Sequence, residues 1–244
     1  MSKIVHVHIA SLDIEENQLL PLYKILAASE QARAGRFRFR KDSVRFIAAR
    51  AALRILIAEY IGTSPGAVIF SQNKYGKPEL GGACALPLKF NLSHSESLAA
   101  FAFSFETEVG VDIELVHPLP GIEMLSEHSF SIQESIAFAQ VKSDRKTHEF
   151  FRYWTRKEAY LKGLGFGLTI PLKRVDVSGS SCHSIHIQEA TDIPSQDGIV
   201  NWFVKELMLP SGYVGAIAVQ GAPPEVVYVE PRSITSLIRL FEHT

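Results

Sequence analysis

The sequence predicts an α+β protein built as two similar α/β subdomains in one chain, related by a pseudo-two-fold, and three observations predict it. The chain opens on a two-residue hydrophobic period, with Val5, Val7 and Ile9 on one face and His6 and His8 on the other, which is the pattern of a half-buried strand. Helical spacing then fills residues 15–30 and 42–61 before several extended segments follow. From Glu108 the same order of strand, two helices and strands begins again. Runs of helices beside runs of strands favour α+β over a strictly alternating parallel fold, and a recurring order of elements favours two related halves.

Each element carries its own signal. The first strand covers about residues 3–10, and the helix at 42–61 has Asp42 or Ser43 available as a cap and Gly62 just past its end. Extended segments follow at 67–72, 89–92 and 98–105, divided by Gly-, Pro- and Ser-rich pieces. In the second half the expected elements are a strand at 109–115, helices near 128–141 and 146–163, and strands near 174–177, 183–189, 202–209 and 213–220. The division falls at 1–107 and 108–244. No low-complexity linker separates the halves, so they are expected to pack closely, with a ligand cleft between them.

Composition narrows the function classes. A chain of 244 residues, 46% hydrophobic, can bury a substantial core. Its 25 basic and 26 acidic residues nearly cancel, and the pI is about 6.8. There is accordingly no global attraction to nucleic acid or an anionic membrane. Cys84 and Cys182 stand far apart in no paired spacing and without a neighbouring cation or base, so neither a disulfide framework, a zinc site nor a nucleophile is indicated. The first residues lack a basic segment followed by a long apolar run, and no apolar stretch is long enough to span a bilayer. A soluble, cytoplasmic protein is the expectation.

Four segments carry candidate chemistry. In Val109-Gly-Val-Asp-Ile-Glu114, Asp112 and Glu114 are two apart and share one face of a strand otherwise made of buried residue types. Burying charge is costly, so either that face is solvated or a metal ion or cationic partner meets it. In Trp154-Thr-Arg-Lys-Glu-Ala-Tyr-Leu-Lys-Gly163, Glu158 and Lys162 lie four apart on one helix face. This is either an ordinary surface pair or a further metal ligand beside a phosphate-binding cation. Phe90-Asn-Leu-Ser-His-Ser95 reads as a polar loop between apolar strands, a common place for ligand contacts. A basic stretch from Arg33 to Arg54 includes Arg45 and holds Asp42 as its one acid. Guanidinium groups there serve either a solvated helix face or phosphate oxygens. Nearby, the turn Tyr75-Gly-Lys-Pro78 presents Lys77.

Other chemistries lack their signatures. There is no Gly-x-x-x-x-Gly-Lys-Ser/Thr loop, and Gly163, Gly165 and Gly167 follow a helix instead of opening one, so they read as its terminator. Ser93 and His94 are adjacent on an extended segment and point apart, with no Gly-x-Ser-x-Gly elbow. His6 and His8 read as plain surface residues of the first strand.

Taken in chain order, FNLSHS, GVDIE and WTRKEAYLKGLG resemble the 4'-phosphopantetheinyl transferase family, in its larger, surfactin-synthetase-activating type with two similar halves in one chain. The resemblance extends over roughly residues 33–170, including the YGKP turn. It implies transfer of 4'-phosphopantetheine from coenzyme A to a serine of an acyl carrier protein or peptidyl carrier domain, with release of 3',5'-ADP. It implies that Asp112, Glu114 and Glu158 hold Mg2+ on the coenzyme A pyrophosphate and that Lys162 touches the phosphates. It also implies that Ser93 and His94, with Lys77 and Arg45, grip the adenosine 3'-phosphate end. Glu30 and Phe46 stand where other members carry a phosphate-binding lysine and a hydroxyl residue. Asp112, Glu158 and Lys162 would be catalytic, with Glu158 or a water on the metal as base for the serine proton. A monomer would suffice, and carriers would dock on the arginine-rich stretch or near Phe130 and Ile132. The rival readings are a magnesium-dependent pyrophosphate hydrolase and a non-catalytic coenzyme A-binding module.

Overall fold

The computed structural model describes residues 2–82, 87–166, 169–179, 183–187 and 201–229, the side chains of 183–187 excepted. Cys84, Cys182 and Gly167 lie outside them. The first half comprises β1 (Lys3–Ser11), α1 (Glu16–Ile25), α2 (Ala28–Ala34), α3 (Arg40–Ile61), β2 (Phe70–Gln72), β3 (Pro78–Leu80), β4 (Lys89–Ser95) and β5 (Leu98–Ser104). The second comprises β6 (Val109–Leu115), α4 (Ile122–Ser129), α5 (Ile132–Ala139), α6 (Lys146–Leu164), β7 (Val175–Asp176), β8 (His183–Ile187), β9 (Trp202–Glu206), β10 (Tyr213–Gln220) and β11 (Pro224–Tyr228). The α+β class is as expected, and no described helix is long and apolar enough to cross a membrane.

The strands form a four-stranded sheet in the order β11-β1-β5-β4, a five-stranded sheet in the order β6-β10-β9-β8-β7, and the small β2-β3 pair. The recurrence of element order reappears as connectivity. β1 pairs antiparallel with β5 and β5 with β4, just as β6 pairs antiparallel with β10 and β10 with β9. β11 breaks the parallel between the halves, because it leaves the second half and lies parallel beside β1.

Several local outcomes differ from expectation for identifiable reasons. The helical stretch at 15–30 is two helices, because Leu26 and Ala27 are extended. The second starts afresh where the Glu30 carboxylate accepts the Ala27 amide at 2.8 Å. Strand 67–72 is shorter, since Pro65–Ala67 forms a 3-10 turn before β2. The helical segment near 128–141 is two short helices, divided at Phe130, with Ser131 and Glu134 forming a capping box at the second. The polar segment Asn91–Ser95 is strand throughout, not loop.

Three apolar cores result. In the first, α3 covers the sheet face that carries Phe101 and Phe103. Its C-terminal half is buried almost all round, as its run of Ala, Leu and Ile requires. The second lies beneath α6, around Tyr160, Leu161, Ala216 and Ala218. The third joins the two sheets through Val5, Val7, Ala100, Ala102, Val111, Ile217 and Val219. His6 and His8 are not plain surface residues, since His6 Nδ1 and His8 Nε2 lie within hydrogen-bond distance of the Tyr60 hydroxyl, at 2.9 and 3.0 Å.

Candidate active site

The acidic strand β6 meets helix α6 at a crossing only glycine permits. A Cβ on Gly110 would lie 2.0 Å from the Ala159 carbonyl and 2.3 Å from the Gly163 amide, and one on Gly163 would lie 2.5 Å from the Trp202 ring. Gly163 is thus a contact residue inside the helix, while Gly165, at φ 71°, is the left-handed cap that ends it. Because side chains alternate along a strand, Asp112 and Glu114 follow Gly110 on the face toward α6. One helical turn separates Glu158 from Lys162 on the facing surface.

Lys162 does not form the ordinary pair with Glu158. Its Nζ donates to Asp112 Oδ1 at 2.6 Å and to Ser93 Oγ at 3.0 Å. Asp112 is only 3% exposed, and its second oxygen, Oδ2, is buried with no hydrogen-bond partner. Burial pushes the Asp112 carboxyl up, opposed by the Lys162 charge. Burial likewise raises Glu114, opposed by a bond from Ser95 and reinforced by Asp112. Glu158 is raised by burial, then by the charge of Asp112 and, more weakly, of Glu114. Burial is thus the main cause for all three acids, and the charge of Asp112 adds to it at Glu114 and Glu158. Among the described residues no group of three or more His, Cys, Asp or Glu side chains is placed to hold a metal ion.

β4 forms the other wall. Ser93 Oγ donates to Asp112 Oδ1 at 2.8 Å, and Ser95 Oγ donates to Glu114 Oε2 at 2.6 Å. Next along the strand, His94 points the other way, exposed at its edge. Although the residue is exposed, crowding that strips water from its ring and then the charges of Lys162, Arg45 and Arg33 hold its imidazole below the usual histidine range. Arg45 pairs with Glu96 at 2.8 Å, and Arg33 sits 5.2 Å from the centroid of the Phe46 ring. Arg33, Arg45 and Lys162 thus surround His94 with positive charge, beside the acidic corner. The rest of the arginine stretch is partly structural. Glu30 receives Arg50 at 2.5 Å and Arg54 at 2.6 Å, and Arg54 also caps the carbonyls of Pro65 and Val68.

Lys77 is placed apart from His94. Its Nζ bonds Glu108 Oε2 at 2.8 Å and the Gly163 carbonyl at 2.7 Å, while Asn73, at the base of the same turn, donates to the Gly165 carbonyl at 2.9 Å. The turn therefore braces the end of α6 against the start of β6. Lys157, adjacent to Glu158, faces away from the site, fully buried on Glu134. Sequence reasoning missed Arg33 as a neighbour of His94, and Asn91 and Ser95 as partners of β6. The signal for the last two was the alternation Asn-x-Ser-x-Ser, which is strand periodicity written in polar residues.

Two family models match the chain: "4'-phosphopantetheinyl transferase, N-terminal" over residues 13–106 and "4'-phosphopantetheinyl transferase superfamily" over residues 108–218. The chain is 36% identical to the 4'-phosphopantetheinyl transferase HetI of a Nostoc species over 222 residues, 91% of this chain and 90% of the relative. It is 28% identical to the 4'-phosphopantetheinyl transferase ffp of Bacillus subtilis over 220 residues, 88% and 89% of the two chains. The L-aminoadipate-semialdehyde dehydrogenase-phosphopantetheinyl transferase of Xenopus laevis is 28% identical over 201 residues, 78% of this chain and 66% of the relative. The chain belongs to the 4'-phosphopantetheinyl transferase superfamily. It is an enzyme of that kind.

Proposed function

We propose that this transferase moves 4'-phosphopantetheine from coenzyme A to a carrier-protein serine in the cleft between its halves, with Asp112, Glu114 and Glu158 as magnesium ligands. The observation that carries the metal assignment is the orphaned, buried Asp112 Oδ2 among carboxyls that all titrate high. A hard cation relieves that charge, and magnesium in particular accepts a few protein carboxylates and completes its shell with water and substrate phosphates. The donor set is all oxygen, which fits. When bound there, magnesium would neutralise pyrophosphate charge as the β-phosphorus is attacked.

The chain's own groups do the rest. Lys162 donates to the pyrophosphate oxygens on which charge accumulates. Glu158 takes the proton of the carrier serine while its oxygen bonds to the β-phosphorus and the bond to 3',5'-ADP breaks. His94 and Arg45 receive the adenosine 3'-phosphate, joined by Arg33, and Lys77 closes the adenosine end after exchanging one of its present partners, while Ser93, on the opposite face of β4 with its proton on Asp112, stays with the acidic corner. The first half holds the nucleotide and the second the metal. For the carrier, Ile132 and Ile136 on α5 are exposed while Phe130 is buried, so the apolar docking contact falls to the isoleucines. Two halves in one chain favour the surfactin-synthetase-activating type, a monomer and a cytoplasmic setting where coenzyme A and carriers meet.

The test is intact-protein mass spectrometry of an apo acyl carrier protein and an apo peptidyl carrier domain incubated with enzyme and coenzyme A. A gain of one phosphopantetheine is expected with MgCl2 and none with EDTA. Glu158→Gln is expected to lose turnover by at least about a hundredfold, the scale of general-base catalysis, while retaining weakened coenzyme A binding. Gain in EDTA would remove the metal assignment, and unchanged turnover of the variant would remove Glu158 from both its roles.

A further inference from the structure

β4 and β6 are edge strands of different sheets, and no backbone ladder joins them among the described residues. An edge strand carries amides that need partners, and here β4 supplies them from side chains. Val111 N donates to Asn91 Oδ1 at 3.0 Å, Ile113 N to Ser93 Oγ at 3.4 Å and Leu115 N to Ser95 Oγ at 3.1 Å. Both strands have a two-residue period, so the three rungs fall in step. This seam is where the first half is registered on the second.

The seam does more than satisfy amides. A serine hydroxyl has one proton to donate and lone pairs with which to accept. Once Ser95 accepts the Leu115 amide, its proton is directed onto Glu114 Oε2 at 2.6 Å. Ser93 does the same for Asp112. Asp112 is additionally held by Lys162, whereas Ser95 is the donor to Glu114 among the described residues. Among the described residues Asn91 makes a rung and touches no carboxylate: its carbonyl oxygen receives Val111.

We propose that Ser95 is a positioning residue of this enzyme, its hydroxyl fixing the Glu114 carboxylate in the orientation that receives magnesium and thereby tying that orientation to the register of the two halves. The proposal rests on the magnesium reading of Asp112, Glu114 and Glu158 given above. Asn91 supplies the control, because its loss removes a rung without freeing a ligand.

The experiment is calorimetric titration of MgCl2 into coenzyme A-loaded protein for the wild type, Ser95→Ala, Ser95→Thr and Asn91→Ala, with thermal unfolding of each. Partners behind metal ligands typically contribute about ten- to a hundredfold in affinity. Ser95→Ala is therefore expected to weaken magnesium binding by at least about tenfold, while Ser95→Thr, which keeps the hydroxyl, stays within about twofold of wild type. Asn91→Ala is expected to lower the unfolding temperature at least as much as Ser95→Ala yet bind magnesium as the wild type does. Unchanged affinity in Ser95→Ala would overturn the proposal, as would an equal loss in Asn91→Ala, which would make the seam as a whole the cause. If the wild type binds coenzyme A but shows no magnesium binding, the ligand reading itself fails, and the Ser95 assignment with it.

Discussion

Lys157 and Glu158 are neighbours with opposite fates, and a single step around a helix separates them. Successive residues differ by about 100° in direction, so Glu158 shares its face with Lys162 while Lys157 turns into the second core. There its ammonium bonds Glu134 at 2.6 Å and the carbonyls of Leu172 and Val175 at 2.8 and 2.6 Å, with both charged side chains 0% exposed. Glu134 in turn accepts the amides of Ser131 and Val177. This cluster fastens α5, α6 and the approach to β7 without entering the chemistry. Lys157→Met keeps most of the stem but leaves Glu134 buried without its cation, a loss expected to cost about 3–5 kcal/mol. Urea unfolding should show it as a lower midpoint at constant slope. The charge density of this helix was plain in the sequence, and so was the shared face of Glu158 and Lys162. What could not be read was that Lys162 would prefer Asp112, fifty residues earlier in the chain, because the choice depends on how closely β6 approaches.

That approach is a property of elements, and the pair Gly110 and Gly163 sets it. Gly110→Ala would drive its methyl into helix backbone, which cannot rotate away, so the strand and helix must separate. The expected loss is about 3 kcal/mol or more, read as a fall in unfolding temperature, together with a drop in transferase activity per folded molecule as Asp112 and Glu158 move apart. β6 and β10 were legible residue for residue, because each is a short, mostly apolar run bounded by turn residues at both ends. β3 and β11 were not, since each begins on a proline and borrows its stability from a neighbour. β4 was half legible: its apolar start read as strand, and its polar remainder read as loop because the amides that satisfy it belong to another strand. Asp112 and Glu114 stood out because burying carboxylates is costly unless a partner meets them, and the segment around His94 because it interrupts apolar strands with polar residues. Lys77 stood out as a prominent lysine, and its engagement with Glu108 and Gly163 emerged only from the fold.

Over the whole molecule, the repeated connectivity of β1-β5-β4 and β6-β10-β9 gives each half its own sheet and covering helix, while β11 binds them. Lys3 donates to the Pro223 carbonyl at 3.1 Å and Val229 to that of Val7 at 3.0 Å. Alternate residues bond to a neighbour in a parallel ladder, so Val227 shares the phase of Val229 and its amide faces β1. Val227→Pro should therefore leave a carbonyl of β1 unpaired and destabilise the protein by about 1–3 kcal/mol. Differential scanning calorimetry would register it, and an undiminished transition would show that β11 is ornamental. The pairing of β1 with β11 also orders events in time. Residues 3–7 are synthesised some two hundred residues before the strand at 224–228 that covers their outer edge. Until that strand is made, the outer edge of β1 has no ladder partner, so the sheet of the first half is completed only by a segment synthesised far later.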